Sequence, residues 1–81
     1  ISMTANKVSG IRAAVCTNAF MARMAREHND ANVLALGARV VGVDLALDIV
    51  DAFIHTDFSY ADRHKRRVEK IMKVEEKYKK A

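Results

Sequence analysis

The chain has 81 residues, 51% of them hydrophobic and 30% charged, and a net charge of +4. Chains this short bury only about 60% of the surface they expose when unfolded, which excludes a large self-contained enzyme core; the composition is too apolar for disorder, and the roughly 18 uncharged apolar residues that cross a bilayer never occur in a row. The positive excess sits at one end, with five basic and six acidic residues in 1–60 against nine and four in 61–81, so the body has no basic face with which to hold a nucleic-acid duplex.

Residues 2–8 have helix-compatible composition, and Ser9-Gly10 is a stop signal, because glycine adopts the left-handed cap at little cost. The chain opens Ile1-Ser2-Met3 with no initiator methionine, with no proline and only three glycines. The expectation is therefore a processed or truncated chain entered part-way through dense secondary structure. Residues 11–16 form a short apolar run ending at Cys16, the pattern of a strand covered on both faces. Thr17 or Asn18 is placed to cap the helix that follows over 19–28, where Phe20, Met21, Met24 and Ala25 recur at spacings of three and four and read as core. Asn29-Asp30-Ala31-Asn32 breaks that helix, and 33–37 is a second buried strand ending at Gly37. Strand, helix and strand in this order predict a right-handed parallel crossover, which two strands alone cannot complete, with ligand groups just beyond the carboxyl ends of the strands.

Residues 41–56 carry the strongest helical period, one broad apolar stripe of Val41, Leu45, Ala46, Ile49, Val50, Phe53 and Ile54 opposite Asp44, Asp48 and Asp51. A last helix is expected over about 61–80, capped by Ser59 or Asp62. Its stripe of Val68, Ile71, Met72 and Tyr78, interrupted by Glu75, is too thin for a core and suits contact with a neighbouring subunit. The division is thus an α/β body over 1–60 and a helical arm over 61–81.

Few residues suggest chemistry. Arg63 and Arg67 lie four apart on one helix face, so both guanidinium groups can grip one phosphate or simply form a solvated basic face. Arg39 follows Gly37 by two residues, at the ligand-binding end of the sheet. His28 can exchange protons near neutral pH or serve as a helix-terminal histidine beside the last carbonyls, and Asn29 can donate to a substrate oxygen or make the turn. His64 is expected to point away from the arginine pair, and His55 is a lone linker histidine. Cys16 reads as an inert core thiol in a reducing, cytoplasmic compartment, with no disulfide and no CxxC zinc pair. The three aspartates at 44, 48 and 51 read as a water-facing stripe. No metal-ligand cluster, phosphate-cradling glycine loop or nucleophile elbow is present in the sequence.

Taken together, Ala5-Asn6-Lys7, Gly10-Ile11-Arg12-Ala13, Arg26-Glu27-His28-Asn29-Asp30-Ala31-Asn32-Val33, Gly37-Ala38-Arg39, Ile49-Val50-Asp51-Ala52-Phe53 and Arg63-His64-Lys65-Arg66-Arg67-Val68 resemble the carboxyl-terminal part of type B ribose-5-phosphate isomerase, in a superfamily that also holds galactose-6-phosphate isomerase subunits. The resemblance implies an α/β fold, the carboxyl-terminal portion of a Rossmann-like three-layer parallel sheet ending in a long helix on a partner subunit. It implies an enzyme, without metal or nucleotide cofactor, that interconverts aldose and ketose phosphates through a cis-enediolate. His28 would assist ring opening, Asn29 would bind the sugar oxygens, and Arg39, Arg63 and Arg67 would bind the phosphate in a pocket shared by two subunits of a homodimer or larger homo-oligomer. The family's glycine-rich loop and its enolising Cys or Glu have no counterpart here, and Cys16 matches a different position. The alternatives are a galactose- or allose-6-phosphate isomerase and a noncatalytic association fragment. A nucleic-acid-binding terminal helix is disfavoured by the acidic stripe, and neither nucleic acid nor membrane is an expected partner.

Overall fold

In the computed structural model, which describes residues 1–37 and 41–78, two parallel strands and four helices follow one another as α1 (Ser2–Ala5), β1 (Ala13–Val15), α2 (Ala19–Asn29), β2 (Val33–Ala35), α3 (Val43–His55) and α4 (Asp62–Lys77). β1 and β2 pair with Ala13 opposite Val33 and Val15 opposite Ala35, which is the predicted parallel crossover around α2.

The differences from the sequence reading are local and have local causes. α1 stops at Ala5 rather than residue 8 because Lys7 and Val8 donate to Thr4 and Ala5, tightening the chain into i→i+3 turns that end at Gly10, whose φ is +83°. Asn6 leaves the helix to bond β1: its Oδ1 accepts from the Ala13 N–H at 2.7 Å and its Nδ2 donates to the Ala13 carbonyl at 3.1 Å. Asn18, not Thr17, caps α2 by accepting from the Met21 N–H at 2.8 Å. β1 is not covered on both faces, since Val15 is half exposed.

The core is narrower than the apolar stripes suggested. Cys16, Ala22, Ala25, Ala31, Val41 and Ile49 are buried together, with Ala46 and Phe53 of α3 packed against them. Alanines on α2 let α3 approach closely, so Ile49 is fully buried while Phe20 and Met21 on the flank of α2 remain exposed, contrary to their reading as core. On α3 the single broad stripe separates into two: Ala46, Ile49 and Phe53 pack inward, whereas Leu45 and Ile54 face outward, as does Leu47, which lies outside that stripe. Val41 is buried but precedes the helix, whose N-cap is Gly42. Among the described residues no helix is long and apolar enough to cross a membrane.

Candidate functional site

The end of α2 and the beginning of α4 meet. Between them the loop after α3 is pinned by buried Phe58, by Tyr60 packed edge-to-face on it at 5.0 Å, and by the Ser59 N–H donating to the Glu27 carbonyl at 3.1 Å. That hydrogen bond ties the loop to the last turn of α2, one residue before His28. The consequence is that the His28 and His64 imidazoles stack, with centroids 4.2 Å apart and planes inclined by 30°.

His64 is the residue that sequence reasoning missed. Expected to point away, it is buried and occupies the centre of the cluster. The Arg63 Nε, which can only donate, lies 3.3 Å from His64 Nε2, so that nitrogen is the acceptor and Nδ1 carries the proton, which it donates to Ser59 Oγ. The Ala61 N–H also donates to Ser59 Oγ at 3.3 Å. Burial pushes the His64 pKa down, and the nearby His28, Arg63 and Arg67 push it further in the same direction, with Glu27 opposing. The ring is thereby held neutral beside the Arg63 and Arg67 guanidinium groups. A signal for this was present: His64, Val68 and Met72 fall at i, i+4 and i+8, the least exposed line of α4, so the apolar stripe read from Val68 onward begins one turn earlier.

The structure brings His28, Arg63 and Arg67 together around His64, with both arginines exposed to solvent and able to receive an anion. Asn29 is the last residue of α2, beside His28, and both line a groove of about 300 Å³ that runs past Cys16, Met21 and Met24. Asn29 also borders a larger groove of about 1180 Å³ that is lined by Ala13 and Ala14 of β1 and reaches Ile71, Val74 and Tyr78 on α4. Glu75, which interrupts the apolar stripe of α4, accepts a hydrogen bond from the Gly10 N–H and so fastens that helix across the turn before β1. Arg39 lies outside the described residues. His55 pairs with Asp51 on the exposed face of α3 at 3.1 Å, away from the cluster. Cys16 is buried, and burial raises its thiol pKa, as suits a packing residue rather than a nucleophile.

Comparison with known proteins bears on the family and on the fold. The family model described as ribose/galactose isomerase matches residues 1–71. Ribose-5-phosphate isomerase B of Escherichia coli is 49% identical over 77 residues, 95% of this chain and 51% of that protein. Among solved structures, ribose-5-phosphate isomerase B of Clostridium thermocellum superposes with a TM-score of 0.92 at 65% identity, covering 96% of this chain and 52% of that one. The type B enzyme of Trypanosoma cruzi gives 0.94 at 44% identity, with 96% and 51% covered. The chain therefore spans about half the length of the relatives it matches. By its sequence and by its backbone, the chain belongs to the ribose/galactose isomerase family.

Proposed function

We propose that this chain forms part of a sugar-phosphate aldose–ketose isomerase, with ribose 5-phosphate and ribulose 5-phosphate as the interconverting pair. The observation that carries the reading is the stack of His28 on His64 beside Arg63 and Arg67, an imidazole next to paired guanidinium groups. Arg63 and Arg67 bind the phosphate, joined by Arg39. His28 moves a proton at the ring oxygen as the furanose opens, and Asn29 hydrogen-bonds the sugar's hydroxyl oxygens. Isomerisation then moves the C2 proton of the aldose to C1 through a cis-enediolate, with a compensating hydroxyl proton shift. Aldose and ketose are isomers, so atoms and electrons balance without a redox partner.

Binding energy from the non-reacting phosphate positions the reacting carbons, and well-oriented groups can remove several kcal/mol, at most about 7–11, from a barrier. Proton transfer by a placed histidine adds about 10²- to 10⁴-fold. The base that takes the carbon-bound proton is not supplied by these 81 residues, so the chain alone is expected to bind substrate but not turn it over. The exposed Ile71, Val74 and Tyr78 of α4 fit a second copy that completes the pocket, in the cytoplasm, where a free thiol such as Cys16 persists.

The test is calorimetric titration of the chain with ribose 5-phosphate, beside an isomerase assay on the chain and on the longer gene product. Arg63→Ala and Arg67→Ala are expected to abolish measurable binding of the sugar phosphate. In the longer protein, His28→Ala should slow turnover of the cyclic sugar far more than of an open-chain substrate. Unchanged binding in both arginine variants, or equal losses on cyclic and open substrates, would refute the assignment.

A further inference from the structure

α2 ends in a way that calls for glycine and does not have one. The Ala31 N–H reaches back to the Ala25 carbonyl at 3.1 Å and the Asp30 N–H to Arg26 at 3.2 Å, a Schellman-type closure whose left-handed position is occupied by Asp30, at φ 47° and ψ 44°. Aspartate visits this region more readily than most side chains but less freely than glycine, and what its carboxylate adds there is a set of contacts that glycine cannot make.

What it adds is a bridge. Asp30 Oδ1 accepts from Arg26 at 3.2 Å and Oδ2 faces Arg12 at 3.5 Å, two guanidinium groups from different parts of the fold. Arg12 also donates through Nε to the Asp30 carbonyl at 3.0 Å, reaching over from the residue that precedes β1. Arg26 donates to the Ala31 carbonyl and, through Nε at 3.0 Å, to the Thr56 carbonyl just past α3, while lying over the Phe53 ring. The residues after His28 and Asn29 are therefore anchored to the start of β1, to α2 itself and to the end of α3. All three ion-pair partners are only partly exposed, where such contacts are less screened than at the open surface.

We propose that Asp30 is the positioning residue of the site, its carboxylate holding the last turn of α2 in the geometry that sets His28 on His64 and turns Asn29 toward the bound sugar. Asp30 touches neither the imidazoles nor the arginines that receive phosphate; it acts through the backbone of the two residues before it. Helix ends fray when their terminal groups lose partners, and His28 and Asn29 are the last two residues of α2. The proposal rests on the functional reading above for its ligand, but its first readout needs no ligand at all.

Asp30→Asn keeps tolerance of the left-handed backbone and the side-chain shape while removing the charge, and Asp30→Gly keeps only the backbone. In the wild-type chain the His28 ring protons should carry the ring-current shift of the stacked His64, measurable by histidine-selective NMR and assigned with His28→Gln. In both Asp30 variants that shift should collapse toward the value of a free imidazole while circular dichroism shows the fold retained. Ribose 5-phosphate affinity should fall about tenfold, the scale of one lost positioned hydrogen bond, and inorganic phosphate affinity should stay within about twofold.

Unchanged His28 resonances in both folded variants would overturn the proposal. So would equal weakening of ribose 5-phosphate and inorganic phosphate, which is what a merely destabilised fold produces. Should both Asp30 variants unfold, Arg12→Met removes one arm of the bridge, and an unmoved His28 signal there would refute the proposal in the same way. A wild-type chain that binds no sugar phosphate would refute the functional reading, leaving the ring shift to decide on Asp30.

Discussion

Replacing Ile49 by alanine tests which face of α3 holds the molecule together. Ile49 is fully buried, and its neighbours in the core include the alanines of α2 and Cys16, the residue just after β1. Removing three carbons forfeits about 2.4 kcal/mol at roughly 0.8 kcal/mol for each buried methylene. The cavity left among small, helix-borne neighbours cannot close without moving α3, which brings the expected total to about 3–5 kcal/mol. A chain of this length is stabilised by roughly 4–12 kcal/mol in all, so the variant should lose between a quarter and all of its stability. Leu47, on the same helix but 63% exposed, should cost no more than about 0.5 kcal/mol when truncated to alanine. Urea denaturation followed by far-ultraviolet circular dichroism measures both, with Ile49→Val, expected near 1 kcal/mol, as the graded control. Equal losses at positions 47 and 49 would show that the outward stripe of α3 is as well covered as the inward one, and the two-sided description of that helix would be wrong.

The depressed His64 pKa makes stability depend on pH with a definite sign. The unfolded chain binds a proton near pH 6.5 that the folded chain refuses until lower pH, so stability is fully present above about pH 6.5 and falls as the pH drops below it; melting curves from pH 7.5 to 5.5 should show the fall, and His64→Gln should flatten it. Asn18→Ala removes the cap of α2 and should cost about 1 kcal/mol by the same denaturation assay, while Asn18→Asp, which retains an acceptor, should cost little. Cys16, buried with a raised thiol pKa, should react with an aromatic disulfide reagent at pH 7.5 only at the rate of unfolding; immediate labelling in the native chain would contradict its placement in the core.

The strand–helix–strand crossover was legible because its signals are local: two apolar runs, the Asn18 cap and a polar break at residues 29–32 are all explicit in the sequence. Element lengths were less so. α1 gives way to i→i+3 turns where Asn6 bonds a residue seven positions away, and no periodicity records such a contact. The two faces of α3 merged in the sequence because both are apolar, and only the close approach of the α2 alanines separates the buried side from the exposed one. At the site, residue spacing could pair Arg63 with Arg67 but could not bring His28 to them. That meeting depends on the loop containing Phe58 and Ser59, whose attachment to Glu27 is a tertiary hydrogen bond. His64 was overlooked for a related reason, since a histidine beside three basic residues looks solvated until the line through Val68 and Met72 is extended back to it.

The amide of Asn6 has an effect beyond fastening two segments. β1 turns the Arg12 carbonyl and the Cys16 N–H toward the second strand, so Ala13 and Val15 offer their backbone groups on the opposite border, and Asn6 satisfies both groups of Ala13 there. An extended peptide approaching that border is refused its first two hydrogen bonds by a side chain that imitates a backbone. Only from Val15 onward can it find purchase. One asparagine thus dictates how far along β1 any added strand must begin.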